Sequence, residues 1–486
     1  MNNLGPSKFD PAAAADEPRQ PLYKPRRKFH PKLAHGNFRK LKWAVMLVTL
    51  TIYYGTPWLR WDRGPGAPDQ AVLVDFPGRR FYFFFIEIWP QELFFVAGLL
   101  IMAGIGLFLM TSVAGRVWCG YACPQTVWTD LFIHVERFIE GDRNARIKLD
   151  AAPWSLTKVG KRIAKHTTWL LIGLLTGGAW IFYFTDAPTL ARQVVEFEAP
   201  LAAYVTVAFF TGMTYVMGGL MREQVCTYMC PWPRIMGAMM DEESLVVTYR
   251  GARGEPRGFA KSPADGKEFG DCVDCGACVA VCPMGIDIRN GVQLECITCA
   301  LCIDACNEVM DHLKRPRGLI GYASLAGESR ATQGAQHLVR AIRPRTIGYF
   351  ALWACVGLIM LYALAVRATS EVNVLHDRNP LSVLLADGSV RNAYTVKVLN
   401  KTHQIQSYHL STEGLPEAAI SVIGSIGGDQ QSPILTVQPD SVQTFRVLIT
   451  VPKTALPKEE NEFTFILRTA ANDTATAETR FWTRQK

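Results

Sequence analysis

Eight of the thirteen cysteines lie between Cys272 and Cys306, in two runs of identical spacing. Cys272, Cys275, Cys278 and Cys282, followed by Pro283, make the first; Cys296, Cys299, Cys302 and Cys306 make the second. Each reads C-x2-C-x2-C-x3-C. Three thiolates so close in sequence wrap three corners of a [4Fe–4S] cube, and the fourth of each run reaches across to the other cube. The expected ligands are therefore Cys272, Cys275, Cys278 and Cys306 for one cluster and Cys296, Cys299, Cys302 and Cys282 for the other. Small residues between them (Gly276, Ala277, Ala300) let backbone amides approach the sulfurs. Structural zinc favours cysteine pairs across a longer spacer. Disulfides need an oxidising compartment and give no reason for a repeated triplet. Asn307 stands where the second run would carry a proline, which leaves ligation intact.

A soluble ferredoxin does not need the rest of this chain. Of 486 residues 49% are hydrophobic and only 19% charged, a deficit of charge that points to a membrane. Five apolar stretches, near 43–59, 92–114, 168–185, 200–221 and 346–366, are each long enough to cross a bilayer. The aromatic block from Phe81 to Trp89 suits the interface. The first forty residues are polar, without a short apolar region near Met1, so no signal peptide is expected. Lys and Arg concentrate before the first stretch, between 115 and 165, and between 222 and 345, but are sparse in 60–91 and 186–199. The positive-inside rule then puts the N-terminus and the cysteine runs in the cytoplasm of a bacterial inner membrane, and the C-terminal region in the periplasm. This alternation also accounts for the net charge of +8 without nucleic acid.

Two further cysteine pairs repeat one pattern. Cys119 and Cys123 precede Pro124, and Cys226 and Cys230 precede Pro231. Each C-x3-C-P lies at the expected cytoplasmic end of an apolar stretch. The i, i+4 spacing puts both sulfurs on one helical face, and the proline ends or kinks the helix. The repetition suggests that spans one–two and three–four are duplicates, with four thiols converging into a metal or redox site. Met217, Met221, Met229, Met236, Met239 and Met240 surround the second pair. Thiolate with thioether is a soft set that suits Cu(I), although methionines also serve as plain packing. Cys355, alone in the fifth stretch, is read as packing.

Residues 368–486 contain no cysteine and alternate with period two, as in Tyr394, Val396, Val398; Phe445, Val447, Ile449, Val451; and Phe463, Phe465, Leu467. Turn signals at Asp387–Gly388, Gly427–Asp429 and Asn472–Asp473 separate the runs, and the size suits an immunoglobulin-like sandwich. His376, His403 and His409 are read as scattered surface histidines rather than a metal site. The expected fold is thus a multi-domain membrane protein: an α-helical transmembrane bundle of five spans, an inserted bacterial-type two-cluster ferredoxin domain, and a C-terminal all-β immunoglobulin-like sandwich. Its expected divisions are a disordered basic cytoplasmic tail (1–40), spans one to four (41–245), the ferredoxin domain (246–344), the fifth span (345–367) and the periplasmic domain (368–486).

In combination these parts resemble the FixG/RdxA/CcoG family of cytochrome c oxidase accessory proteins. The resemblance is carried by Asn37, Phe38, Arg39, Lys40, Leu41, Lys42 and Trp43; by Ile88, Trp89, Pro90 and Gln91; by both C-x3-C-P segments; by the double cysteine run; and by the C-terminal β domain. Polyferredoxin membrane subunits of nitrate and nitrous-oxide respiration look similar through the spans and clusters, but the β domain favours the oxidase-accessory branch. The resemblance implies two [4Fe–4S] clusters and a role in assembling cbb3-type oxidase, as a reductase of Cu(II) to Cu(I). Copper ion would be the substrate, handled near Cys119, Cys123, Cys226 and Cys230. A cytoplasmic electron donor, membrane lipid, and oxidase subunits or copper-handling assembly proteins would be the partners. A quinol-linked respiratory electron conduit and a non-enzymatic assembly scaffold remain as alternatives.

Overall fold

The computed structural model describes residues 28–64, 67–258, 269–332, 340–423, 428–429, 432–452, 455, 459–469 and 473–483. It forms two compact units, Met1–Trp58 with Leu100–Trp353, and Leu59–Leu99 with Ala354–Lys486. In chain order the chain gives helix α1 (Asn37–Gly55), strands β1 (Val72–Asp75), β2 (Arg80–Phe83) and β3 (Ile86–Ile88), then α2 (Phe94–Ala114), α3 (Val117–Tyr121), α4 (Pro124–Glu140), α5 (Arg143–Ala151), α6 (Leu156–Ile181), α7 (Ala187–Val195) and α8 (Leu201–Thr214). Two π-helical segments, Tyr215–Met221 and Val225–Met229, lead to α9 (Trp232–Met239). Next come β4 (Val246–Tyr249), α10 (Gly251–Gly254), α11 (Ala277–Ala280), α12 (Leu301–His312), β5 (Ile320–Ala323), α13 (Leu325–Thr332) and α14 (Pro344–Ala365). The remaining strands are β6 (Ser370–His376), β7 (Val383–Leu384), β8 (Ser389–Asn400), β9 (Gln406–Glu413), β10 (Ala419–Ile423), β11 (Gly428–Asp429), β12 (Ser432–Val437), β13 (Ser441–Pro452), β14 (Glu460–Thr469) and β15 (Thr474–Trp482).

The tail expected over 1–40 lies outside the described residues up to residue 27. From Lys28 onward the chain is held by contacts with the rest of its unit. Lys32 N donates to Ala280 O at 2.8 Å and Leu33 N to Asp142 Oδ1 at 3.1 Å, while Arg146 Nη2 donates to Pro31 O. Helix α1 starts at Asn37, earlier than its apolar stretch, because its cap comes from far along the chain. Gly36 offers no side chain. Instead Asp304 of α12 accepts from Phe38 N at 3.3 Å and Arg39 N at 2.8 Å, satisfying amides that a helix start leaves open.

Three helical stretches among the described residues are long and apolar enough to cross a membrane: Pro90–Ala114, Leu201–Met221 and Pro344–Ala365. Helices α1 and α6 are long as well, but their first turns are basic, and several of those charges point inward. Arg39 makes a two-pronged bond to Asp130 of α4 at 2.9 and 2.8 Å, with Lys42 at 3.7 Å. Glu136, one turn and a half further along α4, meets Arg222 at 2.7 Å, Arg146 at 2.8 Å and Lys165 at 3.5 Å. Burial alone would raise the Glu136 pKa, but Arg222, Lys165 and Arg146 outweigh it and hold the carboxyl at about 2 instead of 4.5.

In the second unit the β-rich region forms two five-stranded sheets. One has the order β10-β13-β8-β6, with β7 on β8; the other is β11-β12-β9-β14-β15. The long central partners β8 (Ser389–Asn400) and β13 (Ser441–Pro452) pair antiparallel along their whole length. The period-two positions point into one core, where Tyr394, Val396, Val447, Ile449, Leu410 and Phe465 are fully buried. Gly388, at φ 81°, makes the expected turn before β8; Gly427 and Asn472 fall outside the described residues. Strands β1, β2 and β3 form a separate antiparallel meander in this unit. Glu92, at the foot of α2, binds Arg367 and Lys401, both at 2.7 Å.

Two outcomes follow from the buried carboxylates. Asp304→Ala, which uncaps α1, should lower stability by about 1–2 kcal/mol, read as an earlier thermal transition in detergent. Glu136→Gln takes the carboxylate away from Arg146 and Arg222 and should cost about 3–5 kcal/mol at neutral pH. Because the folded carboxyl is depressed, its contribution is complete above pH 4.5 and fades as pH falls toward about 2. The variant should lack that acid-dependent part of the melting profile.

Candidate functional site

The two cysteine runs are folded by one local device used twice. In each run the second residue after the first cysteine and the fourth both take left-handed backbone: Asp274 (φ 52°) and Gly276 (φ 65°), then Thr298 (φ 51°) and Ala300 (φ 60°). Gly276 and Ala300 lead directly into α11 and α12. Left-handed conformation is costly for a β-branched residue, and Thr298 is held there in part by Tyr322, whose hydroxyl donates to Thr298 O at 2.7 Å. The antiparallel pair β4–β5 closes over the runs. Asn307, in place of a proline, uses its side-chain carbonyl to accept from Gly318 N at 3.0 Å.

The thiols gather in two crossed groups. Cys272, Cys275, Cys278 and Cys306 line a cavity of ≈350 Å³, walled by Leu319 and Ile320. Cys282, Cys296, Cys299 and Cys302 line a second of ≈380 Å³, with Cys278 at its border and Ile286 and Ile288 among its walls. Cys282 of the first run thus stands with the second, and Cys306 with the first, as the spacing predicts. Burial pushes the thiols of Cys282 and Cys306 up to about 12, with neighbouring cysteines adding to it. Thiolates in such a place need cations bound to them, and backbone amides at Met284, Ile286 and Ile320 already point at these sulfurs. The donor set, its burial and its apolar walls fit iron–sulfur clusters.

The C-x3-C-P pairs build a third group beside the second cavity. Here the helical expectation needs correction: neither pair sits on one continuous α-helix. Cys119 lies in α3, whereas Cys123 precedes α4 in extended conformation; Cys226 lies in a π turn that Cys230 ends. Each proline opens the next helix, Pro124 at the first position of α4 and Pro231 just before α9, where a fixed φ and missing amide are tolerated. The two copies share one backbone feature. The residue four before the first cysteine is left-handed in both copies, Gly115 at φ 58° and Arg222 at φ 46°.

The four thiols lie within electrostatic reach of one another. Cys119 feels the charges of Cys123 and Cys230, and Cys226 those of Cys123, Cys119 and Cys230. Gln125 draws the two segments together, its amide donating to Met217 O at 2.9 Å and Arg222 O at 3.2 Å. Burial raises the Cys119 thiol to about 11 and the Cys226 thiol to about 12. Of the six methionines only Met236 joins them, its Sδ 3.6 Å from Cys119 Sγ. Met239 instead faces Tyr349 and Arg345, and Met229 is exposed. Cys355 is exposed on α14, so it does not pack inside the unit as expected.

The four-thiol group and the second cavity share one apolar core, in which Cys119, Met236, Ile297, Cys299 and Leu301 are buried with Cys226, Cys282 and Cys302 against them. Gly120 makes this possible. A Cβ there would stand 2.6 Å from Ile297 O and 3.0 Å from the Cys299 backbone. Tyr121 Oη donates to Cys299 O at 3.1 Å. Sequence reading singled out the cysteines and missed Gly120 and Tyr121, although both lie between Cys119 and Cys123. In the second unit the three histidines stay apart. His403 joins Asp440 at 2.6 Å near Glu87, where Arg80 already pairs with Glu87 at 3.0 Å. His376 stands edge-on to Tyr394.

Residues 221–325 match a 4Fe-4S dicluster domain, 94–141 a 4Fe-4S binding domain, and 360–484 the IG-like fold at the C-terminus of FixG. The chain is 59% identical to the nitrogen fixation protein FixG of Rhizobium meliloti, over 92% of this chain and 91% of that one. It is 54% identical to protein RdxB of Cereibacter sphaeroides, over 91% and 92%. A crystal structure of a FixG-related protein from Vibrio parahaemolyticus is similar at 30% identity and a TM-score of 0.20, covering 24% of this chain and 95% of that one.

Substituting Gly120 tests the close approach. Gly120→Ala should cost about 1–3 kcal/mol, because backbone cannot yield as a side chain would. The check is earlier loss of iron–sulfur absorbance on warming.

Proposed function

The chain belongs to the FixG/RdxA family, and from that premise we propose that it is a membrane-bound iron–sulfur oxidoreductase that reduces Cu(II) to Cu(I) for the copper site of a cbb3-type oxidase. The observation that carries this is the shared core joining Cys119, Cys226 and Met236 to the second cluster cavity. Cys272, Cys275, Cys278 and Cys306 hold one [4Fe–4S] cluster, and Cys296, Cys299, Cys302 and Cys282 the other. When bound, the clusters supply single electrons at low potential. Gly120 and Tyr121 hold the four-thiol group against the Cys299 loop, so an electron crosses packed protein rather than water. Copper(II) reaching Cys119, Cys123, Cys226 and Cys230 takes up one electron and becomes copper(I), the ion that thiolate and thioether prefer. The burial that raises the Cys119 and Cys226 thiols favours the neutral form until a soft cation displaces the protons.

Orientation completes the proposal. Helices α1 and α6 span the bilayer with the three apolar helices, giving five spans. The N-terminus and cysteine runs face the cytoplasm and residues 368–486 the periplasm, where the sandwich meets oxidase subunits or copper-handling proteins. The four Lys or Arg of 60–91 and the one of 186–199, against nine in 115–165, support this arrangement. A second reading is favoured by the match of residues 94–141 to an iron–sulfur model. In it the four thiols bind iron and sulfide, and the chain is an electron conduit of respiratory type.

The deciding experiment is anaerobic. Protein purified in detergent with its clusters intact is reduced and given Cu(II) beside a Cu(I)-specific chelator. Cluster oxidation matched by Cu(I) release, abolished in Cys226→Ala with Cys230→Ala while the iron content stays at about eight per chain, supports copper reduction. About twelve irons in the native chain, falling toward eight in the variant, supports the second reading. Clusters that stay reduced in the presence of Cu(II) overturn the copper assignment.

A further inference from the structure

We propose that Arg116 is the shared counter-charge of the second cluster site and the four-thiol group, a positioning residue that raises the reduction potential at the first and eases cation loading at the second. The part concerning the four thiols rests on the copper reading; the part concerning the cluster does not.

Arg116 is 4% exposed. An arginine so deeply buried is ordinarily paired. Among the described residues its Nε and Nη1 have no hydrogen-bond partner, and no carboxylate lies within ion-pair distance of it. Its charge instead acts on sulfur: it hydrogen-bonds the Cys119 thiol and favours the thiolates of Cys226 and, in the second cavity, Cys296 through space. The backbone puts it there. Gly115 turns left-handed at the end of α2, so close to Leu245 O that a Cβ would stand at 2.7 Å, and Arg116 then begins α3.

The first cavity provides the contrast. Its nearby arginine, Arg289, acts on Cys278 but is held by Asp287 at 2.7 Å and by Asp274. There the cation is neutralised locally; at Arg116 it is not. A buried guanidinium with idle donors is strongly unfavourable by itself. Beside thiolates bound to metal it becomes favourable, because it offsets their net negative charge and can donate to sulfur. Net charge and hydrogen bonds to sulfur are two of the factors that set cluster potentials. The same positive charge lowers the electrostatic cost of gathering up to four thiolates around a monovalent cation.

The test uses the full chain in detergent with its clusters, comparing native protein with Arg116→Gln and Arg116→Lys. Reductive titration followed by electron paramagnetic resonance should show one cluster signal moving to lower potential in Arg116→Gln and the other staying in place. Arg116→Lys, which keeps the charge, should restore most of the shift. Chelator competition should show Cu(I) affinity falling about tenfold in Arg116→Gln, equivalent to about 1.4 kcal/mol. Native potentials in both variants, or equal movement of both clusters, would overturn the proposal. If Arg116→Gln fails to retain iron, the comparison falls to Arg116→Lys, which must hold both clusters near native potential for the role to stand. A moved potential in a protein that binds no Cu(I) even when native would sink the copper reading and leave the cluster role of Arg116 intact.

Discussion

Backbone meets backbone at Gly120, and the chemistry of the first unit depends on that contact. With no side chain, Gly120 lets the segment after α2 lie directly on Ile297 and Cys299. Tyr121 fixes the register with one hydrogen bond to Cys299 O. A ferredoxin loop and the end of a membrane helix thereby become walls of one core. Were they separated by even one layer of side chains, two sulfur-rich groups would sit in one chain without common packing. Gln125 and the Glu136–Arg222 pair extend the arrangement, fastening the helix after the first cysteine pair to the segment before the second.

The sequence made some of this legible. Fixed cysteine spacing dictates which thiols share a cluster, because the tether between them is too short for other solutions; the crossing of Cys282 and Cys306 is therefore readable without coordinates. Alternation in Tyr394, Val396 and Val398 was equally readable, since a sheet with one buried face imposes it. What escaped was pairing across distance. Arg39, Lys42, Arg146 and Lys165 look like topology signals in sequence, and the structure buries each of them against Asp130, Glu136 or Glu140. Composition counts charges but does not say which carboxylate turns toward them. The first helix begins ahead of its apolar stretch for the same reason, its cap lying more than two hundred and fifty residues away at Asp304.

The cysteine pairs show where a local rule stops. Spacing of i, i+4 places side chains on one face only while the helix continues. Proline at the following position prefers to begin a helix, and in both copies it does, so each pair spans a break. Gln125, just after the first break, donates to the carbonyls of Met217 and Arg222 ahead of the second pair. Two geometrically related breaks, each four residues beyond a left-handed residue, bring the four thiols together better than two straight helices would.

Asp304 stands between Cys302 and Cys306 on α12, so the carboxylate that caps α1 belongs to the very segment that metal organises. Order in that segment and seating of the first long helix are thus coupled through Asp304, so that what favours one favours the other. In biogenesis this makes the order of events consequential. In a chain still lacking iron, any loosening around Cys302 and Cys306 would also loosen the start of the first long helix.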